Sequence, residues 1–276
     1  MLASHWDDPR HRARFSGVGF RLGSAGLVVL WTTAGCELAF PLDRYGSLPD
    51  DGGPAESGAK DSTSTDSRAT DGDAPALITY VQGNVVSVKT KEAVVALDSV
   101  VRSHDAIIVC IDVDDKSVGL TSPTDTLGNN YGLIFGPISA SPRQYFVYLA
   151  QDIDGGASTS VTAMLSNYTN SVFEVFALEY SGLASSNAFD TSSDDMGTSM
   201  DVTSGPAMTM SPHELVLGFG VGGGIMAGSN FMPVLTSPGG SIVEYKVVTT
   251  AGKYEATATT TSGTSWEMIM ATFRGQ

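Results

Sequence analysis

The chain has 276 residues, and its 15 Lys and Arg against 30 Asp and Glu give a formal net charge of −15 at pH 7. This acidic balance argues against nucleic acid or an anionic membrane face as a partner, because both would be repelled. The length suits one β-rich domain with a tail.

The first predicted element is an export signal that ends at Cys36. Four arginines form a cationic region at its start: Arg10, Arg12, Arg14 and Arg21. They precede an uncharged run of about 13 residues (23–35), too short to span a bilayer of ~30 Å as a helix. The small residues Ala34 and Gly35 then stand directly before the cysteine.

This arrangement resembles the lipobox of bacterial lipoproteins. The resemblance implies that Cys36 carries diacylglycerol, that residues 1–35 are cleaved as a signal peptide, and that the new amine is acylated. Stable anchoring takes more than one acyl chain, which triacylated Cys36 would supply. Thr33 departs from the usual leucine, and an ordinary secretory signal or an uncleaved anchor is the alternative. Cleavage removes four Arg and two Asp and takes the net charge from −15 to −17.

Residues 36–76 are predicted to form a disordered acidic tether. From Gly46 to Ala76 there is no aromatic or β-branched aliphatic residue, and seven acids stand against two bases. Such a segment cannot bury enough apolar surface to offset its ordering entropy. A flexible chain of this length spans about 30 Å, so the tether would hold the domain clear of the lipid.

Residues 77–276 are predicted to form an all-β domain of about a dozen short strands separated by turns. The clearest strand is Ile242–Val248, in which Val243, Tyr245 and Val247 alternate with polar residues. After a short turn, Tyr254–Thr259 alternates in the same way, which predicts a β-hairpin. Short strands at this spacing indicate an antiparallel β-sandwich of jelly-roll type.

Five motifs in this region resemble a jelly-roll domain of bacterial surface proteins and phage structural proteins. The motifs are Asp125–Tyr131, Gly155–Thr162, Glu179–Leu183, Glu214–Gly218, and a closing strand with Trp266 and Phe273. The resemblance covers nearly all of the domain and implies its fold and location, without an agreed activity. It also implies an acidic loop after Glu179–Leu183.

Most residues of these motifs are expected to have structural roles. Gly128 and Asn129 are expected to supply positive φ for a turn, and Gly155 with Gly156 likewise. Glu179 is expected to accept a hydrogen bond from a loop backbone.

Cys110 lies in an apolar strand-like run and is interpreted as a small buried hydrophobe.

Enzyme signatures are missing from the sequence. There is no nucleophile elbow, zinc-protease motif or phosphate-binding loop, and the chain beyond Cys36 has only His104 and His213. The glycine-rich stretch Gly218–Gly228 is interpreted as a loop, because the strand and helix of a nucleotide fingerprint do not flank it. We therefore expect a protein that is not an enzyme.

Calcium is the one cofactor that the sequence suggests. If calcium does not bind, we expect the protein to have no cofactor. Asp112 with Asp114, and Asp152 with Asp154, place carboxylates two residues apart near strand ends, as hard oxygen ligands for Ca²⁺. Neither pair matches an EF-hand loop, and solvated acidic loops are the alternative. Asp190, Asp194 and Asp195 are assigned to a further polar loop, whose carboxylates are likewise suited to Ca²⁺.

Three hypotheses for function follow. The first is a lipid-anchored cell-envelope protein whose sandwich binds a glycan or another envelope protein; the alternative location is secretion. The second is a polysaccharide hydrolase that uses carboxylates such as Glu179 and Glu244. The third is a structural subunit of a surface assembly. Tyr145 and Phe146, on opposite faces of one strand, offer an aromatic surface for sugars if one of them is exposed.

Overall fold

A computed structural model describes residues 76–140, 142–261 and 263–276 of the chain. The predicted signal peptide, the predicted acylation site Cys36 and all but the last residue of the predicted tether lie outside the described residues.

The described residues form eighteen strands and no helix, which confirms the all-β prediction but exceeds the dozen strands expected. The strands are β1 (Thr79–Val88), β2 (Glu92–Ala96), β3 (Ala106–Val113), β4 (Thr124–Asp125), β5 (Gly132–Ala140), β6 (Arg143–Ala150), β7 (Ser160–Met164), β8 (Phe173–Ser181), β9 (Phe189–Gly197), β10 (Asp201–Thr203), β11 (Ala207–Met208), β12 (Glu214–Val221), β13 (Ile225–Ala227), β14 (Met232–Thr236), β15 (Ile242–Val248), β16 (Lys253–Tyr254), β17 (Thr257–Thr260) and β18 (Trp266–Arg274). A helix able to cross a membrane does not occur in this part of the chain.

The strands form two five-stranded inner sheets and two three-stranded outer sheets. Inner sheet 1 has the order β1-β8-β3-β6-β5, and outer sheet 1 has the order β2-β7-β4. Inner sheet 2 has the order β9-β18-β12-β15-β14, and outer sheet 2 has the order β10-β17-β13. A short ladder joins β11 to β16. All of these pairings are antiparallel, as in a β-sandwich of jelly-roll type.

The two halves of the domain share one topology. When the two-residue strands β11 and β16 are left out and each half is numbered from its own first strand, the inner sheets correspond strand for strand, and so do the outer sheets. The β11–β16 ladder corresponds to the isolated bridge between Val101 and Gly156 in the first half. The domain is therefore a structural duplication of one eight-stranded sandwich.

Three apolar cores separate the four sheets. The central core contains Phe176 of inner sheet 1 and Phe219 of inner sheet 2, whose rings meet edge to face at 5.5 Å. Each of the two other cores lies between an inner sheet and its outer sheet. Strand β8 is buried on both faces for this reason, since Phe176 points to the central core and Val175 to the outer one.

The central core is closed at one edge and open at the other. At the closed edge β1 contacts β14, and the rings of Tyr80, Tyr180 and Tyr245 pack together with centroids 5.5–6.3 Å apart. At the open edge the outermost strands are β5 and β9. Strand β5 is irregular there, with register shifts on either side of Phe135.

The predicted hairpin of Ile242–Val248 with Tyr254–Thr259 is wrong. Strand β15 pairs with β12 and β14, whereas β16 and β17 pair with strands outside inner sheet 2. The turn therefore passes the chain from an inner to an outer sheet. Glu244 is buried because β15 lies between two cores. Val247, which was expected to be buried, is 37% exposed.

The predicted turn conformations are confirmed at only one of four positions. Gly128 has φ +82°, but Asn129, Gly155 and Gly156 are not among the residues with positive φ. Asn129 instead binds the Asp125 carboxylate through its backbone and its side chain. Gly155 is required by space, since a Cβ there would lie 2.5 Å from the Ser103 nitrogen.

Candidate functional site

Two cavities lie at the open edge of the central core, one at each end of β9. The first, of about 540 Å³, is lined by Arg143 and Tyr145 of inner sheet 1 and by Met196 and Glu267 of inner sheet 2. We call it the Glu267 cavity. The second, of about 670 Å³, is lined by residues that include Gly132, Ile134, Phe189 and Arg274, and is called the Arg274 cavity. Each cavity thus has walls from both halves of the domain.

Strand β9 is the polar wall between the cavities. Its pairing with β18 turns Ser192, Asp194 and Met196 toward the central layer, because their partners Ala271, Ile269 and Glu267 lie on that face. From Phe189 to Met196 the strand covers about 23 Å at ~3.3 Å per residue. The facing strand β5 contributes the half-buried side chains of Ile134, Phe135 and Ile138. One wall of the edge is therefore polar and the other is apolar.

Arg274 fixes the start of β9. Its guanidinium forms an ion pair with Asp190 and donates hydrogen bonds to the carbonyl oxygens of Asn187 at 2.9 Å and Phe189 at 3.3 Å. Asp190 also accepts a hydrogen bond from the Met210 nitrogen at 2.7 Å. These contacts hold the edge strand on its sheet. The sequence prediction of a polar loop at Asp190, Asp194 and Asp195 is wrong, because all three belong to β9.

Glu267 is the least satisfied polar side chain of the site. It is 1% exposed, it lines the Glu267 cavity, and neither carboxylate oxygen has a hydrogen-bond partner. Unpaired buried carboxylates are costly, so their presence in a stable fold requires a reason. Here the cavity supplies the space for a missing partner.

The electrostatic surroundings of Glu267 are acidic. Burial first, and then the nearby carboxylates of Asp194, Asp112 and Asp195, raise the pKa of Glu267 to about 7. Burial also raises the pKa of Asp112 to about 7, against the opposing effect of Arg143. The site therefore concentrates carboxyl groups that ionise near neutral pH.

The first pair of predicted calcium ligands is bound to an arginine. Arg143 lies 3.1 Å from the Asp112 carboxylate and 3.3 Å from that of Asp114. Asp112 is fully buried at the end of β3, and its second oxygen has no hydrogen-bond partner. A guanidinium thus occupies the position between the two carboxylates.

The second predicted pair lies at the opposite end of the same sheet. Asp152 accepts a hydrogen bond from His104 at 2.8 Å, which raises the pKa of the imidazole, and the backbone nitrogen of Asp154 is bound by Asn129. Within the described part of the chain, no three His, Cys, Asp or Glu side chains are placed to hold a metal ion. Calcium at either pair stays a prediction.

The two carboxylates named for a hydrolase are far apart in the layered structure. Glu179 lies on the outer face of inner sheet 1, where it accepts hydrogen bonds from the Arg102 nitrogen at 2.8 Å and from Gln82 at 2.6 Å. The expected contact with a loop backbone is thereby confirmed. Glu244 lies on the outer face of inner sheet 2 and accepts a hydrogen bond from Gly228. The whole central core separates them, so they cannot act as a pair.

The aromatic and cysteine residues singled out in the sequence are buried. Tyr145 is 3% exposed and faces the central core, and Phe146 is 5% exposed and faces the outer core of the first half. Tyr145 and Trp266 nevertheless form walls of the Glu267 cavity. Cys110 is fully buried, and burial raises its pKa well above the usual range of a thiol.

Sequence reasoning missed Glu267 and Arg143. A signal for Glu267 was present, because it is the only acidic residue in the otherwise apolar or small run Trp266–Phe273. Arg143 carried no such signal, since it stands beside a turn where a charged residue is ordinary.

Searches of protein-family models, curated proteins and solved structures found no match to this chain.

Proposed function

We propose that the protein is a lipid-anchored envelope protein that binds a glycan along its open edge. The observation that carries this proposal is the Glu267 carboxylate, which is buried, has no partner and lines a cavity between the two halves. Binding sites in proteins are mostly apolar with a few well-placed polar groups. A carboxylate that accepts hydrogen bonds is suited to the hydroxyl groups of a sugar.

The form of the edge supports a chain rather than a single small molecule. The two cavities lie at the ends of β9, and the polar side chains of Ser192 and Asp194 lie between them. Sugar rings have apolar faces and polar rims, which match the apolar β5 wall and the polar β9 wall. The Arg274 cavity is lined by Asn187, which carries a side-chain amide, and by Arg274, whose guanidinium is also bound to Asp190.

The anchor and the tether remain parts of the proposal. Acylated Cys36 and a flexible acidic segment before residue 77 would hold the sandwich near the envelope glycans that it binds. The strong negative charge is consistent with a neutral or cationic ligand.

A glycan array with the full chain tests the proposal. Wild type and Glu267→Gln are compared with Glu244→Gln, which neutralises another buried glutamate away from the cavities. We expect array signals for wild type and for Glu244→Gln, and a loss of about tenfold or more in affinity for Glu267→Gln. The absence of any glycan signal above background would contradict glycan binding. Equal signals for all three proteins would mean that the glycan binds elsewhere than at Glu267.

Hydrolysis of the same glycan is a second candidate function. A carboxyl group with a pKa of about 7 that lines a cavity has the property required of a general acid. Release of reducing sugar ends by wild type, but not by Glu267→Gln, would support an enzyme. Intact glycan after long incubation would leave binding as the function.

A further inference from the structure

We propose that the Glu267 cavity holds the ammonium group of an amino sugar within the bound glycan. This inference rests on the proposed glycan binding and adds the chemical class of the sugar.

The Glu267 carboxylate lies among groups of its own sign. The neighbouring charges that raise its pKa are those of Asp194, Asp112 and Asp195. Among the described residues that line the cavity, Arg143 is the one cation. Its guanidinium is already paired, at 3.1 Å with Asp112 and at 3.3 Å with Asp114. The carboxylates of this region therefore outnumber its cations, and Glu267 lacks a positive partner.

An ammonium group fits this deficit better than a metal ion does. Calcium requires six to eight oxygen ligands, and no three acidic, histidine or cysteine side chains of the described residues are placed to supply them. An ammonium group has three N–H donors and can be bound by one carboxylate and neutral oxygens. Thr198 and Ser265, which carry hydroxyl oxygens, line the cavity together with Glu267.

The size and walls of the cavity suit the ring that would carry the amine. Its volume of about 540 Å³ is much larger than an ammonium group alone requires. Tyr145 faces the central core and gives the cavity an apolar wall. Trp266 also lines the cavity, but its side chain packs into the outer core of the second half, where the indole donates a hydrogen bond to the Ser199 carbonyl oxygen at 2.8 Å. The cavity therefore combines one buried acceptor with an aromatic wall.

Calorimetry with three oligosaccharides of equal length and linkage tests the inference. The probes are tetramers of glucosamine, of N-acetylglucosamine and of glucose, titrated into the full chain at ~0.15 M salt so that long-range attraction to the acidic protein is screened. We expect the glucosamine tetramer to bind about tenfold or more tightly than the other two. Glu267→Gln should remove this preference, and Glu244→Gln, which changes the net charge equally, should retain it.

Each other outcome overturns the inference in a distinguishable way. Equal or tighter binding of the neutral tetramers would leave glycan binding intact and remove the amino sugar. A preference for glucosamine that survives in Glu267→Gln would show attraction to the acidic surface only. Calcium binding that is lost in Glu267→Gln would assign the cavity to a metal ion. No binding of any tetramer would remove this inference and count against glycan binding as well.

Discussion

Glu174 and Glu267 occupy equivalent positions in the two halves of the domain. Each is the second residue of a nine-residue strand, each follows an aromatic residue, and each is 1% exposed. The surroundings of the two side chains differ. Glu174 is packed by the turn between β14 and β15, since a Cβ added to Gly239 would lie 2.8 Å from its carboxylate, whereas Glu267 lines a cavity. The duplicated position is thus filled in one half and open in the other.

Glu267→Gln should stabilise the protein above neutral pH. Folding raises the pKa of Glu267 from 4.5 to about 7, so its ionisation disfavours the folded state, and this cost grows as the pH rises from 4.5 to about 7. At pH 8 the amide should add about 2–3 kcal/mol, or roughly 5–10 °C in the unfolding midpoint. At pH 4 the carboxyl is protonated in both states, and the midpoints should agree.

Differential scanning calorimetry at pH 4 and pH 8 measures this difference. Glu92→Gln, at an exposed position of β2, is the control and should change the midpoint little at either pH. A lower midpoint for Glu267→Gln at pH 8 would mean that the carboxylate has a stabilising partner in the folded protein.

Arg143→Gln should destabilise the protein, and more at pH 8 than at pH 4. Removal of the guanidinium leaves Asp112 buried without a cation. The expected cost is about 2 kcal/mol, which is less than for a fully buried pair because the arginine side chain is one-third exposed to solvent. The pKa of Asp112 is raised to about 7, so at pH 4 it is protonated and the loss should shrink. Urea unfolding at the two pH values measures the effect, with Lys89→Gln as an exposed control.

The same experiment bears on calcium at Asp112 and Asp114. If Arg143 is the cation of this pair, a chelator should leave the wild-type midpoint unchanged. A midpoint that falls on chelation and returns with Ca²⁺ would show that the carboxylates bind the metal.

Asp125→Asn should destabilise the loop before β5. Burial alone would raise the pKa of Asp125, but hydrogen bonds from Asn129, Tyr131 and Leu127 lower it below its usual value. The stability from these bonds is therefore present above about pH 4 and lost as the pH falls through the folded pKa. We expect a loss of about 2 kcal/mol at pH 7, measured by urea unfolding.

Tyr131→Phe provides a graded control, because it removes only the hydrogen bond of 2.9 Å from the tyrosine hydroxyl. Its expected cost is about 1 kcal/mol. If both variants unfold at the wild-type urea concentration, the carboxylate does not organise this loop.

Cys36→Ala should abolish membrane association. Wild-type protein from a membrane fraction is expected to have the mass of residues 36–276 plus a diacylglyceryl and an acyl group. The variant should lack this modification. An unmodified wild-type chain in the culture medium would contradict the anchor and indicate an ordinary secretory signal.

The sequence predicted the buried strands well because apolar residues dominate them. The largely apolar runs Ala106–Asp112, Phe173–Tyr180 and Trp266–Arg274 predict strands. They agree within one residue with β3, β8 and β18, each of which is almost wholly buried. Strand β9 was missed because Phe189–Gly197 contains three aspartates and two serines. Its pairing with β18 and the Arg274 contacts hold it in the sheet, and neither can be read from its own sequence.

The duplication and the candidate site depend on contacts between residues distant in the chain. Strands β8 and β18 share only their glutamate at equivalent positions, so the repeat leaves almost no trace in the sequence. Alternation in Ile242–Val248 and Tyr254–Thr259 predicted a hairpin, because period two does not distinguish two neighbouring strands from strands in different layers. The Glu267 cavity joins residues more than 120 positions apart, which no local pattern could bring together.

The central core also determines how the chain must fold. Residues such as Ile108, Cys110 and Phe176 of inner sheet 1 are covered by inner sheet 2, which is formed entirely from the last third of the chain. A fragment that ends near residue 185 would contain a complete first sandwich with one large apolar face in water, a surface that promotes aggregation. The two halves should therefore behave as one cooperative unit, and the first half depends on the second for its solubility.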